Sequence, residues 1–180
     1  MTLPSGLPPI EYVLEALDRE PETNVLRWRV RAIAHFLTAG SCNSWNAKWA
    51  GKIAGNVSGG YVRIGLCGGL FLAHRLVWLL VHGEPVPDGI DHADGNPLNN
   101  RIDNLRAATG SQNCANRGKT RSNTSGVKGV HLSKETGKFR AYIKRNGHTQ
   151  GLGSFTTIEE AATARQKAHE ELYGAFARHD

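Results

Sequence analysis

GIDHADGNPLNNRIDNLRAATGSQNCANR, residues 89–117, is the stretch on which the reading of this chain turns. Six asparagines, Asn96, Asn99, Asn100, Asn104, Asn113 and Asn116, sit there among Asp, Gly and a few apolar anchors. Short amides stabilise turns and caps better than helix interiors, so the run predicts a structured loop held by side chains bonding to backbone. A plain solvent loop has the same composition. The flanks are more regular: Asp91 and His92 read as a strand end, LRAAT at 105–109 as a second short strand, and a short helix is expected to start after Thr109 or Ser111. The expected order is strand, long loop, strand, helix, which brings the strand end at 91 to the helix at 113.

Neighbouring residues of an extended segment point to opposite faces, so Asp91 and His92 divide work rather than share an atom. The oxygens of Asp91 suit a hard divalent cation, and a neutral His92 nitrogen can accept a proton near neutral pH. Asn113 is the next candidate for the cation, and Asn104, at the end of the loop, is placed to brace loop backbone near His92. For phosphodiester hydrolysis the division is sensible: His92 activates water, while a cation on Asp91 and Asn113 offsets charge growing on the phosphate. A lone Asp-His pair is a weak signal, because structural ion pairs also bring such residues together.

Upstream, EYVLEALDRE at 11–20 predicts a short helix with Tyr12, Leu14 and Leu17 as its apolar members, ended by Pro21. Trp28, Trp45 and Trp49 mark a packed stretch of unclear period. YVRIGL at 61–66, a CGG turn and LFLAHRL predict a hairpin feeding a helix through Leu76, Trp78, Leu79 and Leu80, broken by Gly83, Pro85, Pro87 and Gly89. The chain of 180 residues allows one ordinary domain or two small ones. Cys42, Cys67 and Cys114 form no Cys-x-x-Cys pair and read as reduced thiols, which argues against structural zinc. No apolar run approaches the roughly 20 residues that cross a bilayer, and MTLPSGLPPIEY lacks signal-peptide form, so the expectation is a cytoplasmic protein without a membrane partner.

The net charge of +6 favours an anionic partner. It is concentrated: residues 119–150 carry eight Lys or Arg against Glu135 alone, so the rest of the chain is slightly acidic. RGKTRSNTSG at 117–126 is basic and poor in apolar residues, as a linker is. GVKGVHL, KFRAYIK and TQGLGSF then predict three strands, followed by a helix from about Ile158 to Tyr173 with Glu159 and Glu160 in its first turn. In the middle strand Phe139, Ala141 and Ile143 can cover a helix stripe of Ala161, Ala164, Ala168 and Leu172. Lys138, Arg140, Tyr142 and Lys144 are left on the other face, which can lie in a DNA major groove. An ordinary solvated face is the bland alternative; RNA is less favoured, because Tyr142 is the one aromatic on the middle strand's polar face.

HRLVWLLVHGEPVPDGIDHADGNPLNNRIDNLRAATGSQNCANR, residues 74–117, resembles the core of the His-Asn-His and His-Asn-Asn endonucleases of phages and mobile introns. The WN...AGK...GY segment from 45 to 61 resembles the upstream part of the same group. The resemblance implies a beta-beta-alpha metal finger with His92 as general base, Asp91 and Asn113 as ligands of one divalent metal, and Asn104 ordering the finger loop. Asn in the last position implies the His-Asn-Asn branch and favours Mg2+ or Mn2+ over zinc. His74-Arg75 matches a His-Arg pair of these proteins, Arg75 as phosphate contact or brace and His74 as an auxiliary residue; Asn116 and Arg117 are further auxiliaries. Capping or core-edge roles explain these four nearly as well.

Residues 123–178 resemble the Apetala or ethylene-response-factor type of DNA-binding domain through SGVKGV, GKFRAYI, LGSF, EEAATAR and LYGAFA. That resemblance implies a sheet of three strands on one helix, with Lys128, His131, Lys138, Arg140, Tyr142 and Lys144 as the contact surface. The expected fold class is α+β: residues 1–60 of unclear role, a nuclease core at 61–117, a basic linker at 118–126 and a DNA-binding domain at 127–178. The expected protein is a metal-dependent endonuclease on double-stranded DNA, of homing or phage nicking type, with monomer and homodimer both open. The alternative is a sequence-specific DNA-binding regulator that keeps the finger without catalysis; an RNA-binding accessory protein would leave the Asp91, His92, Asn104 and Asn113 set unused.

Overall fold

The computed structural model describes residues 6–120 and 122–177. The first five residues, Arg121 in the expected linker and residue 178 at the end of the expected C-terminal domain lie outside the described residues. The chain divides into two compact units, one reaching to Ala107 and one starting at Ala108. The division falls inside the stretch expected to form a single nuclease core. Both units mix helix and sheet.

The first unit begins with helix α1, Ile10–Ala16, and a two-stranded ribbon of β1, Leu17–Arg19, with β2, Leu26–Trp28. The expected ten-residue helix is therefore shorter, and Leu17 enters a strand. Leu14 is 47% exposed, while Val13, Ala16 and Leu17 are buried. These three share one face across the helix-to-strand switch, a pattern that a purely helical reading of Tyr12, Leu14 and Leu17 misses.

Helix α2, Ala39–Trp49, has little amphipathic periodicity and starts at a reciprocal cap, in which the Thr38 hydroxyl accepts from the Ser41 backbone and the Ser41 side chain answers Thr38. An antiparallel meander follows: β3, Asn56–Ser58, β4, Tyr61–Leu66, and β5, Gly69–Leu72. The expected hairpin turns on Cys67 and Gly68, both at positive φ (49° and 72°), the geometry whose twist matches a two-residue hairpin. Helix α3, Ala73–His82, buries Leu76, Val77 and Leu79, with Trp78 and Leu80 at the margin of the core. A final hairpin joins β6, Ile90–His92, to β7, Leu105–Ala107, through a loop that ends in a 3-10 turn, Ile102–Asn104. Ile90 and Leu105 enter the same core as α1, β4 and α3 and anchor that hairpin.

The second unit opens with helix α4, Gly110–Asn116, begun by a Thr109 and Gln112 capping box. Strands β8, Val130–Leu132, β9, Phe139–Arg145, and β10, His148–Phe155, form an antiparallel sheet with β9 in the centre. Helix α5, Ile158–Tyr173, starts at Thr157, capped reciprocally with Glu160. Val130, Ala141 and Ala161 are its small buried core, with Phe139, Leu152, Phe155 and Ile158 around them. The fully buried line of α5 is Ala161, Arg165 and His169; Ala164, Ala168 and Leu172 of the expected stripe are half-buried beside it. Among the described residues no helix is long and apolar enough to cross a membrane.

Candidate active site

The β6–β7 register sets Asp91 directly opposite Arg106 and His92 opposite Leu105. Ile90, Asp91 and His92 are all buried. A buried carboxylate needs a charged partner, and the Arg106 guanidinium supplies it: Nε donates to Asp91 Oδ2 at 2.9 Å and Nη2 lies 2.8 Å from the same oxygen. On the other face, His92 Nε2 is 3.0 Å from Asn100 Oδ1. An amide oxygen only accepts, so Nε2 donates, and a neutral His92 presents Nδ1 as its basic nitrogen.

The loop from 93 to 104 is closed around Asp94. Its Oδ1 accepts from the Asn96 backbone (2.8 Å) and from Asn104 Nδ2 (2.9 Å), and its Oδ2 accepts from Asn99 Nδ2 (2.8 Å). Asn104 returns the contact by accepting from the Asp94 backbone at 3.0 Å, and its Nδ2 also donates to the Asn99 carbonyl at 2.8 Å. Backbone bonds from Ala93 to the Asn104 carbonyl and from Gly95 to the His92 carbonyl complete the closure. Burial opposes the Asp94 charge, but the bonds from Asn99, Asn96 and Asn104 outweigh it and hold the carboxyl below the usual range. The Asn-rich composition is thus a set of side chains standing in for secondary structure.

Two rings meet beside His92. His74, from the first turn of α3, stands edge-on to it with centroids 5.0 Å apart, and Tyr61 of β4 lies 5.8 Å from His74 and 6.3 Å from His92. Burial first, then the charges of His92 and Arg75, push His74 down to about 4, so it is a neutral imidazole at physiological pH. Arg75 turns away from this cluster: its Nη1 donates to the carbonyls of Pro87 (2.8 Å) and Asp88 (3.1 Å) and ties the approach to β6.

Sequence reasoning did not single out Tyr61, Asp94, Asn100 or Arg106. Arg106 had a usable signal, since pairing IDH with LRA puts the two opposite charges across from each other. Asn100 and Asp94 had none beyond the composition of the loop.

Asn113 belongs to the second unit, half-buried on α4; Asn116 is buried on the same helix and Arg117 is exposed beyond it. In the sheet of that unit Arg140, Tyr142 and Lys144 are exposed while Ala141 and Ile143 are buried. His131 sits opposite Arg140, and its ring is 5.8 Å from that of Tyr142. With Thr149, Gly151 and Gly153 of β10 these residues line a groove of about 700 Å3. Lys138 is exposed just before β9. Lys128 differs: its ammonium donates to the carbonyls of Cys114, Ala115 and Arg117 and so caps the C-terminus of α4.

Among the described residues no three His, Cys, Asp or Glu side chains gather to hold a metal ion. The Asp91 carboxylate of the first unit is an oxygen donor of the kind that hard divalent ions take.

A family model described as HNH endonuclease matches residues 71–115, from β5 through α3 and the β6–β7 hairpin into α4. Protein 3.8 of Escherichia phage T7 is 41% identical over 107 residues, which cover 58% of this chain and 87% of that protein. An uncharacterized HNH endonuclease, L560, of Acanthamoeba polyphaga mimivirus is 38% identical over 106 residues, 58% of this chain and 54% of that relative, so the match spans about half of its length. No solved structure matches.

Proposed function

We propose a reaction for this chain from one premise: it belongs to the HNH endonuclease family. The reaction is hydrolysis of a DNA phosphodiester by attack of water, and the carrying observation is the buried His92, whose Nε2 is committed to Asn100 and whose Nδ1 is thereby the basic nitrogen. Nδ1 takes the proton of the attacking water as the new oxygen–phosphorus bond forms in line with the bond to the leaving 3′ oxygen, which departs with a proton from solvent. Asn100 fixes the ring, and Asn104 with Asp94 fixes the loop that carries Asn100.

In the first unit Asp91 is the residue that would hold Mg2+ or Mn2+, and such an ion would supply charge stabilisation on the phosphate. Arg106 orients the Asp91 carboxylate. The second unit, with His131, Lys138, Arg140, Tyr142 and Lys144 outward on its sheet, grips duplex DNA in the manner of an Apetala or ethylene-response-factor domain. The viral relatives support a phage-type enzyme, and nicking is the form of cleavage this reading adds.

The test is conversion of supercoiled plasmid with Mg2+, Mn2+ or EDTA, with His92→Ala alongside. Metal-dependent open circles from the native chain, lost in the variant while gel-shift affinity for DNA persists, are expected. Unchanged cleavage by His92→Ala would remove His92 from the mechanism; salt-sensitive binding without cleavage would make the chain a DNA-binding regulator.

A further inference from the structure

Helix α5 places an arginine where a small apolar residue belongs. Arg165 follows Ala161 by one turn on the buried line of the helix and is 8% exposed. Among the described residues its guanidinium pairs with no carboxylate; its one hydrogen bond runs from Nη1 to His169 Nδ1 at 3.2 Å, and its Nε has no partner. Burial pushes its pKa down, with Tyr142 and Tyr173 partly opposing. A buried cation without a counter-charge is costly, and a helix with alanines on both flanks has a cheaper choice at this position. The charge calls for an anion that no described residue provides.

Arg165 also lines a cavity of about 670 Å3 contained within the second unit, in the size range of small-molecule sites, roughly 300–1,000 Å3. Among the described residues no Asp or Glu contributes to its walls, whereas Lys144 and His169 do. Ile143, Ala115 and Tyr173 give it an apolar side on which a ring can lie. The close packing of its floor is enforced by Gly129, at φ 76°, where a Cβ would stand 2.6 Å from the Tyr142 carbonyl oxygen and 3.3 Å from Arg165 Nε. A forked guanidinium suits carboxylate or phosphate, and a second cation without an opposing acid favours the doubly charged group.

We infer that this cavity binds a nucleoside phosphate, with the Arg165 guanidinium on the phosphate and the apolar wall on the base. The ligand chemistry has two sources, a free mononucleotide or the phosphorylated 5′ end of a DNA strand. The inference does not depend on the assignment of the hydrolytic residues.

The experiment is calorimetric titration of the full chain, in EDTA so that no cleavage enters, with thymidine 5′-monophosphate, thymidine, and a short oligonucleotide with or without a 5′ phosphate. The monophosphate is expected to bind saturably, thymidine about tenfold or more weaker, and Arg165→Met to lose about tenfold or more of the monophosphate affinity. Competition by the phosphorylated but not the 5′-hydroxyl oligonucleotide identifies a strand end as the source; no competition identifies the free nucleotide. Failure of both phosphorylated probes to bind, or equal binding by native chain and Arg165→Met, overturns the inference. Because Arg165→Met can fail to fold, the native chain gives a second readout: Cys114 is exposed on the cavity wall and Cys67 lies in the other unit. The monophosphate should slow alkylation of Cys114 by iodoacetamide and leave Cys67 unaffected, and an unchanged Cys114 rate contradicts the site.

Discussion

Arg106 delivers two contacts to a single oxygen of Asp91, across a register position of a three-residue hairpin. The Asp91 side chain is 4% exposed and that of Arg106 22%, so the pair is shielded from solvent more on the acid side. Arg106→Met removes the guanidinium from a carboxylate that stays buried, a change that costs about 3 kcal/mol. Urea unfolding should show that loss. Adding Asp91→Asn should restore much of the stability but not cleavage, which separates the structural task of the pair from the task of the acid. Full cleavage by the stable double variant would sink the role given to Asp91.

His74 supplies a pH dependence whose sign follows from its burial. Its folded value is about 4 against an ordinary value of 6.5, so between these limits the unfolded chain binds the proton that the folded chain refuses. Stability is unaffected by this group above 6.5, falls as pH drops through that value, and levels off near 4. The full loss is about 3 kcal/mol. Thermal unfolding from pH 7.5 to 4 should show a steeper fall for the native chain than for His74→Gln. Parallel curves would mean that His74 takes up its proton in the folded state without penalty.

Much of this architecture was legible before any coordinates. Alternation over 61–66 with a two-residue turn marked the β4–β5 hairpin, and three short apolar runs before an alanine-rich helix marked the β8–β10 sheet and α5. Helix α2 was not legible: Ala39–Trp49 has no apolar stripe, and what holds its start is the exchange between Thr38 and Ser41. Leu17 misled because its spacing from Tyr12 and Leu14 suits a helix, while the chain turns to strand there to bury it beside Val13 and Ala16. At the candidate site, the candidacy of Asp91 and His92 could be read from residue type, but the partners that set their states, Arg106 and Asn100, depend on strand register and loop closure. Arg165 was hidden for the opposite reason: the alanines flanking it supplied a sufficient stripe, and a charged residue on its axis is what periodicity leads a reader to discount.

Lys128 and Arg140 both stand in the basic region, yet the structure gives them different work. Lys128 bonds the last carbonyls of α4, whereas Arg140 is exposed in the groove across from His131. Lys128→Met should lower the stability of the second unit by about 1–2 kcal/mol through loss of charge-assisted bonds. It should leave the salt dependence of DNA affinity near the native slope. Arg140→Ala with Lys138→Ala should leave stability within about 0.5 kcal/mol and reduce the slope of log affinity against log salt by about two. Fluorescence anisotropy on duplex DNA at several salt concentrations checks both, and the reverse pattern would move the DNA from the sheet face to the end of α4.

Asn104 tests whether loop closure and chemistry are one device. Its side chain makes bonds to Asp94 and Asn99 while only 9% exposed, so Asn104→Ala abandons the Asp94 backbone donor and the Asn99 carbonyl together. The expected loss is about 2 kcal/mol in urea unfolding, with cleavage reduced further than stability explains because Asn100 rides on the same loop. Asn104→Asp keeps the accepting oxygen but sets a second carboxylate against Asp94, whose own charge the loop now favours. Like charges at that separation disfavour each other, so at pH 7 the aspartate variant should be less stable than the alanine variant. Its deficit relative to the native chain should shrink toward pH 4 as one of the two carboxylates takes a proton. Equal stability of the native and Asn104→Ala chains would show that the loop is closed by its backbone bonds alone, and the amide would then have to be explained by the chemistry it serves.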